Sequence, residues 1–240
     1  MSKQYLPLDF PLLRSYHLMH ALEGPARGVV LLLHGRTGNG VDMIPLGRRI
    51  AGVCPYLDIL IPDAPYLCVV PESPLGKSPP YQREWYDLSL DAREDVQVKQ
   101  CSLSVEGLCA LLKMHVSASS AALPIVICGY SQGSSMALLL GLRKTPGVRR
   151  VVGYAGRMVF HDGYEAVAGS LPTFHLLQGG WDGIVKPTEH TRAIGLLSAF
   201  GAEVTAEFFP DVTHDLVDEV QDAIVRQVKH AFSRTNDSGG

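Results

Sequence analysis

The chain has 240 residues, 46% of them apolar and 19% charged, with a formal net charge of −3 at pH 7. That balance excludes a disordered chain, and the lack of any run of Lys or Arg excludes nucleic acid as its main partner. Five cysteines (Cys54, Cys68, Cys101, Cys109 and Cys128) form an odd set with no C-x-x-C pair, which argues against structural zinc or a disulfide framework and predicts free thiols in the reducing cytoplasm.

The opening residues "MSKQYLPLDF" hold no apolar stretch of signal-peptide length, and no later apolar run could span a bilayer, so stable membrane insertion is not expected. Residues 15–22, "SYHLMHAL", read as an early strand, and "GVVLLL" as a buried strand ending at His34. "DMIPLGRRIAGVC" follows as a helix that must hold Pro45 in its first turn, and "LDILIP" is the next strand. Six prolines from residue 62 to residue 80 predict a long irregular loop, a kind often tied to function. From Asp91, "DAREDVQVKQCSLSVEGLCALLKMHV" is helical in character, with residues 102–104 as the place for a break.

Further on, "PIVIC", "VRRVVGYAG", "PTFHLLQG" and "EVTAEFF" read as strands, and "QGSSMALLLGLRK" and "PTEHTRAIGLLSAF" as helices. Leu216, Val220, Ile224, Val228 and Phe232 recur at four-residue intervals, the stripe of a last helix. The tail "SRTNDSGG" reads as disordered. Alternating strands and helices predict one α/β domain over residues 1–232, a mostly parallel sheet with helices on both faces.

Function in such a sheet gathers in loops beyond the carboxyl ends of the strands. "VICGYSQGSSMALLL" places Ser131 between Gly129 and Gly133, directly after a strand and directly before a helix. That is the setting of a nucleophile elbow, a turn so tight that the serine takes strained backbone angles and glycine is needed two residues to either side. The same spacing also arises by chance, so the serine must find partners. A hydroxyl is a poor nucleophile until a histidine takes its proton, and that histidine needs a carboxylate to hold its tautomer.

On an α/β-hydrolase sheet the order along the chain is serine, acid, histidine. His214 in "FFPDVTHDLVDEV" lies just past the last strand, where the base belongs. His175 and His190 fall inside elements, His230 lies on the last helix, and His161 is a weaker rival in a loop. Asp182 in "LLQGGWDGIVKP" follows the preceding strand and comes before His214. Its rivals are Asp162, Asp211 and Asp215, of which the last two are too near His214 in sequence to reach the far side of its ring easily. After the first buried strand, "HGRTGNG" would offer the backbone N–H of Arg36 to an oxyanion, beside that of Gln132 at a helix N-terminus. His34 then packs beneath this loop.

Two nucleotide-binding look-alikes fail. Gly38-x-Gly40 lacks the third glycine of a dinucleotide fingerprint, because Met43 stands there, and "PESPLGKS" has Pro71 where a phosphate loop begins.

Taken in order, "LLLHGRTGNG", "IPDAP", "EWYD", "GYSQGSSMAL" and "GGWDGIV" resemble the phospholipase/carboxylesterase enzymes, α/β-hydrolases that include the acyl-protein thioesterases. The resemblance runs from Val29 to Phe232. It implies Ser131 as nucleophile, Asp182 and His214 as its partners, the N–H groups of Arg36 and Gln132 as oxyanion hole, and Trp85 at the border of an acyl pocket. It also allows a homodimer. The expected reaction is cleavage of a small-molecule or acyl ester, or a thioester, with no metal and no organic cofactor. An Arg36 side chain near the pocket would favour substrates with a carboxylate. The chain departs from the family pattern at Asp211 and Thr213, where glycines are frequent, and in the loop 66–81. A lactone or dienelactone hydrolase is the alternative within the class, although those enzymes usually carry a cysteine where Ser131 stands. An idle hydrolase fold used for binding is the alternative outside it.

Overall fold

The computed structural model describes residues 1–6, 12–68, 82–89, 91–119, 122–143, 145–159 and 171–233. β1 (Ser2–Tyr5) and β2 (Ser15–Met19) open the chain as an antiparallel pair. β3 (Gly28–Leu33), α1 (Ile44–Val53) and β4 (Leu57–Pro62) form the first parallel unit. β5 (Tyr66–Leu67) and β6 (Arg83–Glu84) pair in a small separate sheet, after which α2 (Glu94–Ser117) leads back to β7 (Ile125–Tyr130). α3 (Gln132–Leu142), β8 (Val148–Tyr154), β9 (Thr173–Gly179), α4 (Pro187–Ala199), β10 (Val204–Phe209) and α5 (Asp218–Ser233) complete the order.

The main sheet runs β1-β2-β4-β3-β7-β8-β9-β10 and is parallel from β4 onward, as the strand–helix alternation led one to expect. Strand side chains alternate between faces. Leu31, Leu33 and Ile127 therefore join the core under α2, α3 and α4, while Val30, Leu32 and Val126 join the one under α1 and α5. Every residue of α3 is buried, which explains why that segment is apolar all round rather than striped.

Some local expectations shift. β1 was not foreseen. The helix of residues 94–117 runs unbroken through Ser102 and Ser104, because Ser104 turns its hydroxyl to the carbonyl of Trp85 at 2.7 Å and packs closely there. A 3-10 turn, Gly40–Met43, precedes α1 and is capped by Asn39, whose side chain accepts from the N–H of Val41 at 2.8 Å. Pro45 sits in the first turn of α1, where its missing N–H costs nothing. Leu216 lies ahead of α5 rather than in it. Most of the proline-rich loop (69–81) and the tail (234–240) lie outside the described residues. Among the described residues no helix is long and apolar enough to cross a membrane.

Candidate active site

β7 ends at Tyr130 and α3 begins at Gln132, so a single residue makes the turn between them. That residue, Ser131, has φ 54° and ψ −119°, a conformation costing about 1–3 kcal/mol for a residue with a side chain. A Cβ on Gly129 would fall 2.2 Å from the carbonyl oxygen of Gly133, and one on Gly133 would fall 2.3 Å from that of Leu33. Only glycine fits at either position.

The structure brings the three distant polar residues together. Nε2 of His214 lies 2.9 Å from Oγ of Ser131, and its Nδ1 lies 2.8 Å from Oδ2 of Asp182. The three side chains follow the ends of β7, β9 and β10. The Asp182 side chain is fully buried, and other donors converge on it. Oδ1 accepts from the N–H groups of Ile184 (2.9 Å) and Val185 (2.8 Å), and Oδ2 from Nε2 of Gln178 (3.2 Å). Among the rivals, Asp215 instead accepts from the Thr213 hydroxyl at 2.7 Å, and His161 and Asp162 lie outside the described residues.

Tyr154 holds the histidine loop. Its hydroxyl lies 2.8 Å from the carbonyl of Thr213 and 3.0 Å from that of Asp215, on both sides of His214. Burial pushes its pKa up, so the group stays a donor. The Tyr130 ring stacks on Tyr154 at 5.8 Å between centroids and tilts against His214 at 5.3 Å. Sequence reasoning missed Tyr154 and Gln178. The only signal for either was a polar or aromatic residue at the carboxyl end of a strand.

On the other side of Ser131 lies the loop after β3. Among the described residues, the N–H groups of Arg36 and Gln132 donate to no protein acceptor. Thr37, the next residue, is held at φ 67°. Its N–H donates to the Arg83 carbonyl at 2.9 Å, and the Arg83 N–H to the Gly38 carbonyl at 3.0 Å, so the loop is clamped to β6. His34 is fully buried beneath it. Its Nε2 accepts from the N–H of Ala64 at 2.9 Å, which leaves Nδ1–H to donate to the Gly35 carbonyl at 2.7 Å. Burial pushes its pKa down and keeps it neutral. His34 holds the loop, as its position implied.

Trp85 requires a correction. It does not border the cleft before Ser131 but is fully buried behind it. Its indole N–H donates to the His34 carbonyl at 2.9 Å, and its backbone N–H to Oε1 of Gln132 at 2.8 Å. The Gln132 amide also donates to the Tyr86 carbonyl at 2.7 Å, fixing this segment to the elbow. The described wall is formed instead by Tyr86 and Leu88 on one side and Ile184 and Val185 on the other. That cleft has a volume of about 310 Å³ and contains Ser131. A second cleft of about 330 Å³ lies across Arg36, bounded by Tyr130 and Leu216. Among the described residues no three His, Cys, Asp or Glu side chains are grouped so as to hold a metal ion.

The family described as phospholipase/carboxylesterase matches residues 16–230. This chain belongs to that family. As a phospholipase/carboxylesterase it is a hydrolase acting on ester bonds. It is similar to the esterase YpfH of Escherichia coli (strain K12), with 24% identity over 200 residues, 83% of this chain and 81% of that one. Among solved structures, esterase PE8 matches with a TM-score of 0.77 at 24% identity, over 90% of this chain and 97% of that one. Acyl-protein thioesterase 2 of Zea mays matches with a TM-score of 0.69 at 21% identity, over 90% and 98% of the two chains. These likenesses show the α/β-hydrolase fold expected from the sequence.

Proposed function

We propose that the protein cleaves carboxylic esters or thioesters through an acyl-enzyme formed on Ser131. The observation that carries this reading is the continuous chain from Ser131 Oγ through His214 to Asp182, with links of 2.9 and 2.8 Å. With Nδ1–H of His214 donated to Asp182, the lone pair of Nε2 faces the serine hydroxyl. His214 takes that proton as Oγ attacks the carbonyl carbon. Negative charge gathers on the carbonyl oxygen, where the N–H groups of Arg36 and Gln132 and the N-terminal end of α3 meet it.

His214 then gives the proton to the leaving oxygen or sulfur, and the acyl group remains on Ser131. A water that loses its proton to His214 attacks the acyl carbon, and Ser131 departs with that proton. The leaving group must lie on the His214 side to be protonated, in the cleft bounded by Tyr130 and Leu216. The acyl part then takes the cleft bounded by Tyr86, Leu88 and Ile184.

The test is hydrolysis of p-nitrophenyl esters of increasing acyl length by the wild type and by Ser131→Ala. Wild-type turnover with an initial burst of p-nitrophenol is expected, and a fall in kcat of roughly ten-thousand-fold or more in the variant. A variant that keeps the wild-type rate would overturn the reading. The acyl length giving the highest kcat/KM measures the depth of the cleft.

A further inference from the structure

Among the described residues, the cleft assigned to the acyl part is lined by two arginines, Arg36 and Arg157, and by no acidic side chain. The two are not equivalent. Nε of Arg36 donates to Oε2 of the buried Glu84 at 2.8 Å, so its charge is already balanced within the protein. Arg157 is half-buried, and among the described residues no carboxylate pairs with its guanidinium.

Its backbone is nonetheless fixed. The Arg157 N–H donates to the Ser135 hydroxyl at 3.3 Å. The preceding Gly156 is pressed so close to the first turn of α3 that a Cβ there would fall 2.2 Å from Oγ of Ser134. A guanidinium that gives up part of its hydration adds little to stability by doing so. It does supply a planar, always-charged fork matched to a carboxylate. The N-terminal end of α3 opens into the same cleft and adds positive potential to it.

We propose that the protein selects esters whose acyl part ends in a second, free carboxylate, held by Arg157: half-esters of short dicarboxylic acids. The inference rests on the hydrolase reading above. The apolar stretch of wall formed by Leu88, Ile184 and Val185 accommodates the methylenes between the two carboxyl groups. The volume of about 310 Å³ suits a short chain of them. Arg36 contributes its backbone N–H to the reaction, while Arg157 contributes its charge to the choice of substrate.

The experiment compares monoethyl succinate, glutarate and adipate with the ethyl esters of butanoic, pentanoic and hexanoic acid, followed by titration of released acid. Wild type, Arg157→Gln, Arg157→Lys and Ser131→Ala are assayed side by side. For at least one half-ester the wild type is expected to show kcat/KM about tenfold or more above that of its neutral partner, mainly through KM. The ratio falls close to one in Arg157→Gln, is partly kept in Arg157→Lys, and shrinks with added salt. A wild-type ratio of one or less, or an undiminished ratio in Arg157→Gln, overturns the inference while Ser131-dependent cleavage of the neutral esters stands. Turnover of both ester classes that does not depend on Ser131 overturns the hydrolase reading, and this inference with it.

Discussion

At Ser131 the chain accepts a left-handed backbone, and hydrogen bonds on either side hold it there. The serine N–H donates to the Tyr154 carbonyl at 2.9 Å, and its own carbonyl accepts from Ser134 and Ser135 at 2.9 and 3.2 Å. Tyr154 thus grips Ser131 through its backbone and the histidine loop through its hydroxyl. Replacing Tyr154 by Phe strands two carbonyls and is expected to cost about 1–2 kcal/mol of stability. The same change should lower kcat about tenfold with KM little altered, because His214 loses its register with Ser131. Steady-state kinetics and thermal melts separate the two effects, and an unchanged kcat would remove Tyr154 from the positioning of His214. The meeting of Ser131, Asp182 and His214 was legible in the sequence because strand ends and chain order mark them. Tyr154 and Gln178 were not, since they act by bonding carbonyls or a carboxylate across the sheet. Trp85 was misplaced because a motif fixes a position along the chain and not the direction in which the side chain points.

The elements around the loop after β3 are tied together by Asp63, at the end of β4. Its carboxylate accepts from the Ser15 hydroxyl at 2.5 Å and the Gly40 N–H at 2.9 Å, and pairs with Lys3 at 2.9 Å. Burial alone would raise its pKa, but the hydrogen bonds from Ser15, Lys3 and Gly40 outweigh burial and hold it below the ordinary value. The unfolded chain therefore binds a proton here more readily than the folded one. The stability this group contributes is fully present above an ordinary carboxylate pKa of about 4 and is lost as pH falls through the lower folded value. Asp63→Asn is expected to cost about 1–3 kcal/mol at pH 7 and to flatten the fall in melting temperature below pH 4. Parallel acid slopes in the two proteins would rule this out. His34 acts in the same direction at higher pH. Its folded pKa is depressed by burial, so the melting temperature should begin to decline as pH drops below about 6.5. The same network explains why β1 was illegible. Ser2, Lys3, Gln4 and Tyr5 are polar or exposed, with no buried alternation to read, and the strand is held at the edge by pairing with β2 and by Lys3. The central strands and α3 were legible because their unbroken apolar runs had to be buried on both faces.

Across the whole molecule, thiol chemistry is largely shut away from the surface. All five cysteines are free thiols, four of them buried and Cys109 half-buried. Burial raises every one of their pKa values, Cys68 to about 11 and Cys101 to about 12. Thiolate is the reactive form, so a thiol reagent added to native protein should label at most Cys109 quickly and reach five thiols only in denaturant. Fast native labelling of two or more would contradict the burial described. The three side chains that make up the proposed catalytic chain are contributed by β7, β9 and β10, and the histidine follows the last strand of the sheet. During synthesis, then, the growing polypeptide displays its serine long before the residue that could activate it exists. On the proposed mechanism, a product truncated before His214 carries the serine without its base, and hydrolysis through Ser131 waits on the last strand of the sheet.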